Sequence, residues 1–403
     1  MFALFSPTSL QANLDAILND PALKGATVCA TVLDSDGKVL YEHNGGMRVM
    51  PASNQKLLTG AFALGSLGPD FQPQTLFHVN GDTLVIQSEG NPELTISDYL
   101  PVAKRLGRFK KVILEEAYRP GWPSTWQLGD IPNRYAPFIS SITSDRGGLE
   151  IWWDGKAPQF RPHDFGLRAV IKPSDGPPAV VYDPRTGSLV ITGTLPVAEK
   201  RLDTLAAPEP DRWVASLFGD EVSFDKVNFR DQAPQATLKG LSMHQTLKNC
   251  FETSQNHLAE NLLMMASRKT DFNSAAAEMK RFLAGALGPN SDIAPYDGSG
   301  VSRHNLVTTD FLASLLRYEM AQPTSAVWLD ALPTYGHGTM KTRGQGHVIH
   351  AKDGTLDHVS AYSGYLDRKD GKRYVFSLIF NEFACEDKIA RQIQDQFVAN
   401  LDN

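Results

Sequence analysis

Apolar residues first recur at helical spacing in a segment over 9–19, where Leu10, Leu14, Ile17 and Leu18 share one side. Two strand-like runs follow, 26–33 and 38–42, and read as a β-hairpin about the turn-rich Asp34-Ser35-Asp36-Gly37. A helical apolar stretch then runs from Leu57 to Leu67 and stops at Gly68-Pro69. From about 70 to 235 the pattern changes. Short β-like runs at 83–87, 111–114, 149–153, 179–182 and 188–192 alternate with Pro and Gly, and helical spacing survives only near 97–107 and 210–219. After about 240 helices return, at 242–252, 256–267, 274–287 and 308–320. Strands are expected at 346–352, 357–366 and 373–380, and a last helix at 386–399.

This alternation predicts an α/β (α+β) chain. Two distant pieces, 1–67 and 240–403, read as one domain with a mainly antiparallel sheet flanked by helices. The stretch between them reads as one or two small β-rich modules inserted into that domain. At 403 residues the chain can bury a large core.

Composition narrows the function classes. A net charge of −6 offers no basic face for nucleic acid. No apolar run approaches the length of a membrane span. The start, Met1 to Phe5, is apolar but short and lacks a basic segment, so it is not a signal peptide. Either the protein is cytoplasmic or a leader was removed before this numbering begins. Cys29, Cys250 and Cys385 are widely spaced and odd in number, which fits buried free thiols. His347, His350 and His358 cluster in sequence, but strand positions three apart face opposite sides, so no metal site is expected. No cofactor is expected either.

Three short motifs carry the chemistry by their order. Ser53-Asn54-Gln55-Lys56 comes first, Ser254-Gln255-Asn256 second, and Lys352-Asp353-Gly354-Thr355 last. On a helix Ser53 and Lys56 lie one turn apart on one face, so Lys56 can take the serine's proton. Ser254 can relay that proton to a leaving amine, and Asn256 can bind a substrate amide. Lys352 is a candidate second cation, and Thr355 N–H can pair with Ser53 N–H as an oxyanion hole. Each motif alone reads as an ordinary helix cap or turn, and the chain carries decoys: Ser35-Asp36-Gly37-Lys38 and Lys369-Asp370-Gly371, both expected at hairpin tips.

At these residues the chain resembles the class C low-molecular-mass penicillin-binding proteins, the D-Ala-D-Ala carboxypeptidase/endopeptidases of peptidoglycan. Further stretches are similar, among them Gly90–Leu94, Gly121–Pro123, Tyr135–Pro137, Tyr296–Arg303 and Gly338–Met340 with Arg343. The resemblance implies a penicilloyl-serine transferase (β-lactamase/transpeptidase-like) domain with two inserted domains, 68–145 with 210–239 and 146–209. It implies an acyl-enzyme on Ser53, with stem peptides or cross-links as substrate and β-lactams as covalent inhibitors. It implies a periplasmic or extracellular site, and it offers Asp130 as an acidic reader of the stem peptide's amino end. A homodimer is compatible with the sequence.

One departure stands out. The family's third motif is K-T-G, with a threonine that helps bind the substrate's terminal carboxylate. Here that position is Asp353. Two unit charges about 4 Å apart cost roughly 4 kcal/mol at an effective dielectric near 20. Either Asp353 points away, or it is neutral, or the substrate differs; the expectation is weakened carboxypeptidase action and preference for a substrate with no free carboxylate there, such as a cross-link, and a cationic group near Asp353 would suit it. Competing expectations are a catalytically weakened wall-peptide binder, or a β-lactamase, esterase or amine-directed D-amino peptidase using the same serine.

Overall fold

The computed structural model describes residues 7–131, 133–162, 167–183, 188–227, 232–288 and 292–402. The short apolar start, Met1 to Phe5, lies outside them. The chain divides into two compact units. One comprises Met1–Phe71, Met243–Gln255 and Phe272–Asn403, the other Gln72–Ser242 and Asn256–Asp271.

The first unit is built on a five-stranded antiparallel sheet. Its spatial order is Val348–Leu356, Val359–Asp367, Arg373–Asn381, Thr27–Leu33, Val39–His43. Strands from the two ends of the chain meet at its centre, with Thr27 opposite Asn381 and Leu33 opposite Val375. Alternation gives each strand an apolar face, and the helices Pro7–Leu18 and Asp387–Asn400 cover one side. Leu14, Leu18, Ile393 and Phe397 form that core with Val32, Tyr362 and Phe376. The third motif lies well inside the edge strand Val348–Leu356, which runs four residues past the predicted end at 352. The pattern also missed a short helix, Ser325–Ala331, whose Trp328 is buried and donates from Nε1 to Tyr365 Oη at 2.9 Å.

The second unit is less uniformly β than the alternation suggested. Its five-stranded sheet is mixed: Thr83–Ser88, Phe109–Glu116 and Gly219–Phe224 run parallel. Parallel neighbours need a crossover, and the helix Ile96–Leu106 supplies one. Thr95 and Asp98 cap that helix reciprocally. Two three-stranded sheets lie in the stretch 148–206. The helix Asn256–Ser267 is counted with this unit, so the expected continuous piece 240–403 is interrupted there.

Candidate active site

The first motif begins on a tight turn, Ala52–Asn54, that runs directly into the helix Gln55–Leu67. Ala52 sits at φ 45°, a left-handed conformation that residues with a Cβ rarely adopt. Such a residue costs about 1 kcal/mol or more and persists only where its surroundings hold it. Two glycines do the holding. A Cβ on Gly300 would meet Ala52 O at 1.8 Å, and one on Gly354 would meet Ser53 N at 2.6 Å. Neither position admits a side chain without moving the serine.

Ser53 Oγ is held from two sides. Lys56 Nζ donates to it at 2.9 Å, and Ser254 Oγ donates to it at 3.0 Å. Lys56 is fully buried and also donates to Ser299 O at 2.8 Å. Ser254 is another left-handed residue, at φ 52°, just after the helix Met243–Thr253. Two non-glycine residues in this conformation, one carrying a site hydroxyl and one next to it, mark the position as over-determined by its packing.

The loop Asp297–Arg303 explains why Lys56 stays aligned. Asp297 is buried and accepts from Gly300 N at 2.8 Å, Ser302 N at 2.6 Å and Asn305 Nδ2 at 2.7 Å. The folded loop then offers carbonyls to the nucleophile helix. Gln55 Nε2 donates to Asp297 O, Thr59 Oγ1 to Gly298 O and Lys56 Nζ to Ser299 O. Sequence reasoning singled out this loop by resemblance but assigned it no contact. Its Gly-Ser-Gly run beside a buried aspartate was the available signal.

The third motif lies on an edge strand, so alternate N–H groups of Lys352 to Thr355 point away from the sheet. Lys352 is fully buried, and burial pushes its amine below the usual lysine range. Its Nζ donates to Asp353 O at 2.6 Å and Asp353 Oδ1 at 3.4 Å. Asp353 is also buried, among arginines. Arg391 Nη2 lies 3.2 Å from Asp353 Oδ2, and Arg343 Nη1 lies 3.9 Å from it. Burial pushes the Asp353 carboxyl up, but Lys352, Arg343 and Arg391 outweigh it and hold the group below the usual carboxylate range. Asp353 is therefore charged and neutralised in place. The strand presents this carboxylate ion-paired rather than bare.

The structure thus gathers Ser53, Lys56 and Ser254 at one point, with Gly354 against Ser53. Asn256 and Asp130 fall in the second unit. There Asn256 Nδ2 donates to Tyr135 O at 2.7 Å. Asp130 is buried and accepts from Tyr135 Oη at 2.9 Å and Gln127 N at 3.1 Å. The three histidines are dispersed in use. His347 Nδ1 lies 2.8 Å from Asp402 Oδ2, and His358 Nδ1 lies 2.9 Å from Phe383 O.

A model of the D-Ala-D-Ala carboxypeptidase 3 (S13) family matches residues 10–403. The chain is 27% identical to a D-alanyl-D-alanine carboxypeptidase of Actinomadura sp. (strain R39), over 98% of this chain and 84% of that protein. The fold is that of penicillin binding protein 4 (dacB) from Haemophilus influenzae, with TM-score 0.80, 20% identity, and 97% and 99% of the two chains covered. The same protein in complex with a β-lactam superposes with TM-score 0.74 at 21% identity, over 97% and 98% of the two chains. A predatory peptidoglycan endopeptidase from Bdellovibrio bacteriovorus matches with TM-score 0.57 at 14% identity, over 93% and 92% of the two chains.

Proposed function

The chain belongs to the D-Ala-D-Ala carboxypeptidase 3 (S13) family of serine peptidases, and from that premise we propose that it cleaves D-Ala-D-Ala-type bonds of peptidoglycan peptides through an acyl-enzyme on Ser53. One observation carries the reading: Ser53 Oγ lies 2.9 Å from Lys56 Nζ and 3.0 Å from Ser254 Oγ. A serine hydroxyl needs a base within hydrogen-bond reach to become a nucleophile, and a relay to carry the proton on to the leaving group.

In the proposed sequence Ser53 Oγ attacks the scissile carbonyl carbon while its proton passes to the amine form of Lys56. The oxyanion is met by the N–H groups of Ser53 and Thr355, where one donor is worth about 3 to 4 kcal/mol of barrier. Collapse breaks the C–N bond. The proton moves from Lys56 through Ser254 Oγ to the departing amine, leaving an ester on Ser53. Water then attacks the ester, gives its proton back through the same groups, and frees the acid and Ser53. Lys352 is assigned to hold positive potential over this point, and Gly354 to leave room for the nucleophile turn.

A β-lactam carbonyl meets the same serine, and we assign penicillins as covalent inhibitors. The substrate class places the protein outside the cytoplasmic membrane. Among the described residues no helix is long and apolar enough to cross a membrane.

Intact mass spectrometry after exposure to a penicillin tests the reading, with Ser53→Ala alongside. The expected result is one penicillin-mass adduct on the native chain and none on the variant. An adduct that survives in Ser53→Ala, or a native chain that neither forms an adduct nor hydrolyses the penicillin, would overturn it.

A further inference from the structure

Resting on the peptidase reading above, we propose that Arg391 is the specificity-determining residue that reads the carboxylate of the substrate's C-terminal residue, and that Asp353 holds it in position to do so. The argument begins with strand alternation. Lys352 and Gly354 project on one side of the edge strand, and Gly354 lies against Ser53 N. Asp353 and Thr355 project on the other. Arg391, on the helix Asp387–Asn400, bridges those two: its Nη2 reaches Asp353 Oδ2 at 3.2 Å and Thr355 Oγ1 at 3.1 Å.

The two arginines near Asp353 differ in what they have left to offer. The Arg343 side chain is 4% exposed and is engaged by Asp395 at 2.8 Å, by Gln394 at 3.2 Å and by the Tyr362 ring at 3.9 Å. Each arginine also has one buried nitrogen without a hydrogen-bond partner, Nη1 of Arg343 and Nε of Arg391, so exposure separates them: the Arg391 side chain is 39% exposed. A guanidinium carries five donors in a fork that suits a carboxylate. Among the described residues, Lys352, Arg343 and Arg391 pair in this cluster with Asp353 and Asp395, three cations to two carboxylates.

Position agrees with charge. In a C-terminal dipeptide the carboxylate carbon is three bonds from the scissile carbonyl carbon, within about one residue length of roughly 3.8 Å. With that carbonyl at the N–H groups of Ser53 and Thr355, the carboxylate falls within one residue length of Thr355 and its bridging arginine. Asp353 then neither repels the substrate nor contacts it. It is a positioning residue that stands where the family's threonine would be and orients a cation.

The test compares two peptides ending in D-Ala-D-Ala, one with a free C-terminal carboxylate and one with a C-terminal amide. Native enzyme is expected to favour the acid in kcat/KM by about thirtyfold or more. Arg391→Gln should lose most of that preference, through KM for the acid, with the amide changed less than about threefold. Arg391→Lys, which keeps a cation but not the fork, should recover part of it. Equal loss on acid and amide would make Arg391 structural and overturn the inference. So would native enzyme that cleaves both peptides equally, a result that needs no variant to fold. Native enzyme that takes penicillin on Ser53 yet shows no acid preference overturns this inference alone. Native enzyme with neither peptidase activity nor an adduct overturns the peptidase reading and this inference with it.

Discussion

The tripeptide Lys-Asp-Gly occurs twice, at 352–354 and 369–371, and the two copies share nothing but their letters. The first lies inside an edge strand with all three residues packed. The second is the tip between two strands, where Asp370 accepts from Lys372 N at 3.1 Å and a Cβ on Gly371 would meet nothing within 4 Å. Gly371 is glycine for its conformation, at φ 82°. Gly354 is glycine for its neighbour, the backbone of Ser53. Lys352 is sealed from water, whereas the Lys369 side chain is 73% exposed. A motif therefore acquires chemistry from desolvation and close approach, and identical residues without them remain a turn.

Matched substitutions can break this contrast. The largest effect is expected at the lysines. Lys352→Ala should slow acylation by penicillin roughly a thousandfold, and Lys369→Ala should leave it unchanged; equal effects in a rapid-mixing adduct assay would refute the distinction. The glycines come next. Gly354→Ala should displace the nucleophile turn and slow acylation about a hundredfold, while Gly371→Ala should only cost about 1 kcal/mol of stability in urea titrations.

The aspartates give the smallest effect, read in stability. Asp353→Asn should cost about 2 to 3 kcal/mol near neutral pH, since it removes a charge hydrogen-bonded to buried cations. Asp370→Asn should leave stability unchanged within error. The pH dependence has a defined sign. The folded carboxyl of Asp353 lies below its ordinary value of 3.8, so its contribution is complete above that value and disappears as pH falls through the folded one. The gap between native and Asp353→Asn should therefore close in acid. A gap that widens there would contradict the ion-pair assignment.

Local features were the legible ones. Periodicity placed the strands and most helices of the first unit to within a few residues, because their apolar faces repeat. Motif order singled out Ser53, Lys56 and Ser254, which the fold brings into hydrogen-bond contact. What escaped depends on distance along the chain. Nothing near Asp353 in sequence signals that Arg391 will reach it from the last helix, or that Arg343 will stack on Tyr362. The left-handed conformations of Ala52 and Ser254 are equally silent, since neither residue type favours them and only tertiary packing imposes them. The helix Ser325–Ala331 is too short to show a period. Asn256 follows Ser254 by two positions, yet it opens a helix counted with the other unit.

The pairing of Thr27–Leu33 with Arg373–Asn381 has a consequence in time. A growing chain holds Ser53 and Lys56 early, but the sheet of that unit waits for the strand Arg373–Asn381 to emerge. Contacts this far apart in sequence are slow to form. The nucleophile turn is thus made long before the strand that completes its sheet, and Arg391, assigned to recognise what is cut, follows that strand in the chain.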